Sequence, residues 1–222
     1  MTGKAILTPT NAHVDHINNL AINMMQGNLF TSTSIDSIHN DDTGEKSTMF
    51  PVEYLNSLSI SGMPRHILRL KIGAPLILIR NIDTKKGLCN GTRLQLLSYT
   101  PYLIGVKILH GSHEGQETHL PRINLISNDD DLPFELKRRQ FPVQIAFCMT
   151  INKSQGQRFT TVGVWLPQPV FAHGQLYVAL SRSGNPANTK ILMKNVSNRQ
   201  GYLNDREGFH TVNVVYKEVL NE

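Results

Sequence analysis

The chain has 222 residues, 40% of them apolar, and carries a formal net charge of +5 from 22 Lys and Arg against 17 Asp and Glu. That length and apolar content support a real core, as one sizeable domain or a domain carrying a smaller one, and the modest basic excess is compatible with a polyanionic partner without requiring one. No apolar run approaches the roughly 20 residues of a membrane span, and two cysteines, Cys89 and Cys148, exclude a disulfide framework or a Cys-x-x-Cys site.

In chain order, Met1 to Ala5 leads into an apolar run without the regions of a secretory signal, so the chain is expected to stay inside the cell. Ala5 to Leu7 is predicted as a strand, and Thr8-Pro9-Thr10-Asn11 caps a helix patterned through Ala12, Ile17, Leu20, Ala21 and Met24. From Gln26 to Ser61 the composition turns polar, which predicts a long exposed connection. Short strands follow at Leu76 to Arg80, Arg93 to Leu97, Leu103 to Leu109 and Glu117 to Ile123, a spacing that suggests a small barrel.

A polar break at Ser127 to Asp131 and basic Lys137, Arg138 and Arg139 precede Phe141 to Phe147, which reads as a buried strand. A strand at Thr161 to Leu166, a helix from about His173 to Ser181 and a strand at Thr189 to Met193 restore the alternation of an α/β domain. The histidines His110, His113 and His119 lack metal-ligand spacing, and no metal site is expected.

Three segments carry candidate chemistry. Thr150 to Gln157 is a polar run after an apolar strand, where open α/β sheets bind ligands; its Thr, Asn, Lys and Ser side chains and backbone donors are able to reach phosphate oxygens, and a plain solvated turn is the alternative. The helix ending at Arg182 offers a planar, permanently charged fork suited to a phosphoryl group, or merely a cation complementing a helix C-terminus. The stretch from Leu70 to Arg93 holds the Asn90-Gly91 turn signal with Lys71, Arg80, Lys85, Lys86 and Arg93, either a backbone-tracking surface or a solvated hairpin.

Taken in order, Ile6 to Asn11, Leu70 to Arg80, Gly87 to Thr92, Thr150 to Gln157 and Val170 to Arg182 resemble the Pif-type, superfamily-one DNA helicases and the related helicase regions of Helitron transposons. The resemblance implies an α/β fold: a second RecA-like, P-loop NTPase-type domain formed by residues 1–66 and 140–200, an inserted small Src-homology-like β-barrel of the 2B type at 67–139, and a tail at 201–222. It implies the C-terminal segment of an ATP-dependent 5′-to-3′ DNA helicase of repair, recombination and telomere maintenance, acting in the nucleus or mitochondrion. The first half of such an enzyme would carry the phosphate loop and the Asp-Glu pair, neither of which occurs in this sequence.

The same resemblance implies site roles. Thr150 to Gln157 corresponds to helicase motif V, with Thr10, Asn11, Thr150, Asn152, Lys153 and Ser154 toward DNA and Gln155 and Gly156 toward the nucleotide; Arg182 corresponds to the motif VI arginine finger. Gln175 and Tyr177 also match motif VI, in packing or orienting roles. The implied partners are single-stranded DNA and an N-terminal RecA-like domain, and the implied cofactors are ATP and Mg2+ in the complete enzyme, with none held by this chain alone. Two departures stand out: Arg158, where the family usually has Thr, and Ser183-Gly184-Asn185, looser than the usual apolar continuation. A stand-alone single-stranded nucleic-acid-binding module and a decayed transposon-derived fragment remain the alternative readings.

Overall fold

The computed structural model describes residues 3–41, 44–127, 132–196, 199–202 and 208–216; most of the polar break at 127–131 and much of the tail lie outside them. The chain runs β1 (Lys4–Thr8), α1 (Asn11–Met24), β2 (Phe30–Thr33), β3 (Ile35–Ile38), α2 (Glu45–Met49), α3 (Val52–Ser57), β4 (Ile67–Leu70), β5 (Pro75–Leu78), β6 (Arg93–Tyr99) and β7 (Leu103–Ile108). It continues through β8 (Glu117–Pro121), β9 (Ile123–Ile126), β10 (Leu136–Gln140), β11 (Val143–Ile145), β12 (Cys148–Thr150), β13 (Thr161–Leu166), α4 (Gln175–Leu180), β14 (Thr189–Met193), β15 (Gln200–Tyr202) and β16 (Phe209–Thr211). Packing divides it at 21/22 and 146/147, into one unit of residues 1–21 with 147–222 and another of residues 22–146, where the sequence placed divisions at 66/67 and 139/140.

The first unit is built on a four-stranded parallel sheet of order β12-β1-β13-β14. Parallel strands need crossover connections; α4 lies in the one between β13 and β14, residues 22–146 lie in the one between β1 and β12, and β12 and β13 are joined by residues 151–160 with a 3-10 turn. One face buries Ala5, Leu7, Val162, Val164 and Leu166 with Val170 and Ala179 from the segment of α4. On α1, the Asn18 side chain bonds both the N–H (2.8 Å) and the carbonyl (3.0 Å) of Cys148, as a neighbouring strand would, and His13 meets Trp165 edge-on at 5.1 Å. The last strands, β15 and β16, pair as a hairpin tied back through Gln200, whose amide donates to Leu166 O (2.7 Å) and Lys194 O (3.0 Å).

In the second unit a five-stranded antiparallel sheet runs β11-β5-β6-β7-β8 around Leu76, Leu78, Leu94, Leu96, Ile104, Val106 and Phe141. A second sheet, β3-β10-β9, and the pair β2-β4 accompany it. Here the expected exposed connection at 26–61 is corrected: it forms β2, β3, α2 and α3, and Ile38, Leu55 and Met63 join Leu125, Phe134 and Leu136 in a core of their own.

The cause of that correction is an inverted strand. In β3 the apolar Ile35 is 65% exposed while Asp36 is buried, because Arg138 from β10 arrives opposite it and places Nη2 at 2.6 Å from the carboxylate. Arg138 also donates to the carbonyls of Leu55, Leu58 and Pro64, so the basic stretch 137–139 is a strand whose central charge faces inward. Beside it, buried Gln140 donates to Ser32 O and His66 O and accepts from Ser32 Oγ. Polar side chains this far inside are tolerated because each meets a partner.

Phe141 to Phe147, read as one buried strand, holds the shorter β11, which pairs with β5; the chain then enters β12 beside β1. Likewise Glu117 to Ile123 splits at Arg122 into β8 and β9, which pair with different strands. Among the described residues no helix is long and apolar enough to cross a membrane.

Candidate functional site

The sheet of the first unit has a topological switch. After β1 the chain returns through β12 on one side of it, and after β12 through β13 on the other. In open parallel sheets ligands bind beyond the C-terminal ends of strands at such a switch, because the connections diverge there and leave a crevice. The segments leaving β1 and β12 at this end are Pro9 to Asn11 and Ile151 to Gln157, joined by Ile151 N–H to Thr8 O at 3.0 Å.

The first of these segments opens α1. Thr10 accepts the Val14 N–H on its carbonyl (3.2 Å), and its hydroxyl lies 2.7 Å from His13 Nδ1, so the cap is shared between Thr10 and His13; Asn11 is exposed as the first residue of the helix. Thr8 was read from the sequence only as part of the capping loop, yet its hydroxyl is buried at this end of β1 and has no hydrogen-bond partner among the described residues. A short Thr at a strand terminus carries no sequence signal of its own.

The second segment is a tight turn with a 3-10 helix at Asn152–Ser154. Thr150 Oγ1 accepts the Lys153 N–H (3.4 Å), leaving Asn152, Lys153, Gln155 and Gly156 exposed. Ser154 is placed differently from the DNA-side expectation: it is fully buried, and its hydroxyl donates to Ile151 O at 2.6 Å, closing the turn. Gly156 takes φ +78°, a left-handed conformation that a side chain makes costly, and this reverses the chain toward β13. Desolvation holds the Lys153 ammonium below the ordinary lysine value although much of its stem is exposed, and Asp15 on α1 opposes that shift.

The helix α4 is fastened to this turn at both ends. At its start, Gln175 is buried; its carbonyl oxygen accepts Phe171 N–H (3.1 Å) and its amide donates to Asn152 Oδ1 (3.3 Å). Just beyond its end, Arg182 donates Nε to Val178 O (2.8 Å), Nη1 to Ser154 O (3.3 Å) and Gln157 O (3.2 Å), and Nη2 to Ser181 Oγ (2.8 Å). Tyr177, by contrast, is 75% exposed, away from the packing role expected of it. After Arg182, Phe159 and Ser183 form a parallel bridge and Asn185 caps a turn at Pro186–Asn188, so the loose stretch is ordered by backbone pairing. Arg158 is exposed.

Thr10, Asn11 and the start of the 150–157 turn thus sit at one end of the sheet, whereas the backbone of Arg182 lies beside Phe159 where the chain enters β13, and its side chain reaches back to Ser154 O and Gln157 O. The basic stretch 71–93 of the second unit is mixed: Lys85 and Lys86 are exposed around a turn capped by Asp83, whereas Arg93 points inward, donates to Ala146 O (3.1 Å) and is pushed down to about 10 by burial. Among the described residues no group of three or more His, Cys, Asp or Glu is arranged to hold a metal ion.

Residues 53–99 match the family described as DNA helicase Pif1, 2B domain. The ATP-dependent DNA helicase PIF1 of Homo sapiens is 36% identical over 129 residues, covering 57% of this chain and 19% of that protein, and the Pif1 of Bdellovibrio bacteriovorus is 31% identical over 134 residues, covering 55% and 29%. Among solved structures, Pif1 helicase from Candida albicans aligns with a TM-score of 0.63 at 26% identity over 87% of this chain and 45% of that one. Pif1 helicase from Bacteroides, in complex with ADP-AlF3 and single-stranded DNA, aligns at 0.66 over 98% and 44%; at 19% identity it speaks for the fold alone. The chain is similar to Pif1-type helicases, as its motifs indicated, and spans less than half the length of each of these four relatives.

Proposed function

We propose that this chain, similar to Pif1-type helicases along most of its length, supplies the C-terminal part of an ATP-dependent 5′-to-3′ DNA helicase. Its first unit serves as the second RecA-like domain and its second unit as the 2B-type insertion, a small Src-homology-like barrel. Thr10, Asn11, Thr150, Asn152 and Lys153 contact the backbone of single-stranded DNA. Gln155, Gly156 and Arg182 face the nucleotide, with Arg182 as the arginine finger; Ser154 shapes the turn from within. ATP and Mg2+ are held mainly by an N-terminal RecA-like domain, so the isolated chain does not hydrolyse ATP.

The observation that supports this reading is the joining of the turn at 150–157, which follows the C-terminal end of β12, to the segment bearing Arg182. A phosphate-facing arginine and a backbone-facing polar turn held in one rigid piece is what coupling of a nucleotide to a strand requires, since an arginine that stabilises phosphoryl transfer is worth roughly three to five orders of magnitude in rate.

The test is ATP hydrolysis stimulated by single-stranded DNA, measured for the chain alone and mixed with the N-terminal RecA-like domain of a Pif1 relative. Hydrolysis confined to the mixture and abolished by Arg182→Ala upholds the reading. Hydrolysis by the chain alone would overturn the division of labour, and an associated but inactive mixture would leave a nucleic-acid-binding module as the better description.

A further inference from the structure

The four strands of the parallel sheet end on one edge, and the hairpin of β15 and β16 is fixed to that edge, as are Thr10, Asn11 and the start of the 150–157 turn. Its anchor is Gln200, whose amide donates to the carbonyls of Leu166, the last residue of β13, and Lys194, just beyond β14. β13 is the immediate neighbour of β1 and the second from β12, which sets the anchor about 5 and about 10 Å across the sheet from those strand ends.

Burial falls off along the hairpin. Gln200 is buried and accepts from Thr211 Oγ1 at 2.7 Å, whereas Tyr202 and Phe209, the next pair on the same face, are 59% and 68% exposed. Their rings meet edge-on, with centroids 6.0 Å apart at 74°. An edge-on contact occupies the edge of one ring and a single face of the other, so flat faces remain open. A cross-strand aromatic pair stabilises a hairpin through mutual burial, and this exposure shows how little of that these two achieve.

Their setting is cationic. Among the described residues from 189 to 216 the only Lys, Arg, Asp or Glu side chains are Lys190, Lys194 and Arg199, all of them exposed. Cations beside open aromatic rings are the chemistry that holds an unpaired strand, because every base offers a flat face to a ring. We propose that Tyr202 and Phe209 form a platform on which bases of single-stranded DNA stack. The inference rests on the reading of this sheet edge as the DNA side, and adds contacts to bases where that reading has contacts to the backbone alone. Stacking discriminates weakly among the four bases, so the platform adds affinity with little sequence preference.

The experiment measures binding of oligo-dT, and of an abasic oligonucleotide of the same length, by the 222-residue chain. The variants are Tyr202→Ala, Phe209→Ala, the double change Tyr202→Leu with Phe209→Leu and, as a backbone control, Lys153→Ala. Leucine keeps an apolar cross-strand contact and removes the flat ring, so the double variant separates stacking from hairpin integrity. Amide exchange at Gln200 and Val212, whose N–H groups donate to Val196 O and Arg199 O, reports that integrity. Each variant that removes a ring is expected to weaken oligo-dT binding by about five- to a hundredfold. The salt dependence keeps its wild-type slope because no charge is lost, and affinity for the abasic strand is unchanged.

Wild-type oligo-dT affinity in these variants, with the salt slope reduced by Lys153→Ala, overturns the platform and leaves the backbone reading intact; the rings then face another protein surface. No binding of oligo-dT by wild type at low salt overturns both. An equal loss on oligo-dT and on the abasic strand shows that the rings do not act through bases, and the platform fails. It fails too if affinity falls only in variants where protection of Gln200 and Val212 falls, which assigns the pair to holding the hairpin.

Discussion

Asp36 and Arg138 have no exposed side-chain surface, with Nη2 2.6 Å from the carboxylate, and the arginine further satisfies the carbonyls of Leu55, Leu58 and Pro64. Removing one partner of such a pair strands the other in a medium that cannot solvate it. Asp36→Ala is therefore expected to cost about 3–5 kcal/mol, read as a lowered urea midpoint. Cys148 makes a different prediction. Burial pushes its thiol from 9.0 up to about 12, so above pH 9 the unfolded chain releases a proton that the folded one keeps. The stabilisation from this group is complete below that point and declines as pH rises toward 12, by about 1.4 kcal/mol per pH unit. Cys148→Ala should accordingly lose less stability than wild type between about pH 8 and about pH 10 in the same urea titrations.

At the scale of elements, α4 and the turn at 150–157 behave as one part because Gln175 joins them from a buried position. Gln175→Leu leaves Asn152 Oδ1 and the Phe171 N–H without this partner, and should destabilise the chain by about 1–3 kcal/mol in thermal melts. Gly156→Ala tests backbone conformation alone: its Cβ would meet nothing, so the expected cost of about 1–2 kcal/mol comes from the positive φ. A smaller loss would indicate that the turn relaxes into another conformation. The same elements show why part of this local structure was readable beforehand. The turn and α4 each announce themselves by local residue types, and the bond from the Ser154 hydroxyl to Ile151 O three residues back is equally local, whereas the burial of Ser154 depends on what packs around the turn.

For the whole chain, the exposed positively charged side chains of this stretch are few: Lys153 in the turn after β12 and Arg158 just beyond it. If each neutralises one phosphate, the logarithm of single-stranded DNA affinity should fall against the logarithm of salt with a slope of about −1.4, and Lys153→Ala should reduce that slope by about 0.7. A salt-independent affinity would show that the turn does not face the DNA backbone. This small electrostatic footprint agrees with the modest +5 charge of the sequence.

By itself the sequence determined the parallel α/β portion: strands at 161–166 and 189–193, the helix opening at Asn11, and the polar turn following β12 are local patterns with local causes. It also named the residues proposed as the site, because capping residues, a strand-end polar turn and a helix ending in arginine are written in neighbouring residues. Only the tertiary structure decided residues 26–61 and 137–140. There short strands of four or five residues turn Ser32, Asp36, Arg138 and Gln140 inward, and a buried charge is stable only beside a partner about a hundred positions away. Burial of polar groups in complementary pairs reverses the alternation on which a strand is recognised, so the pattern becomes legible once both members are in place.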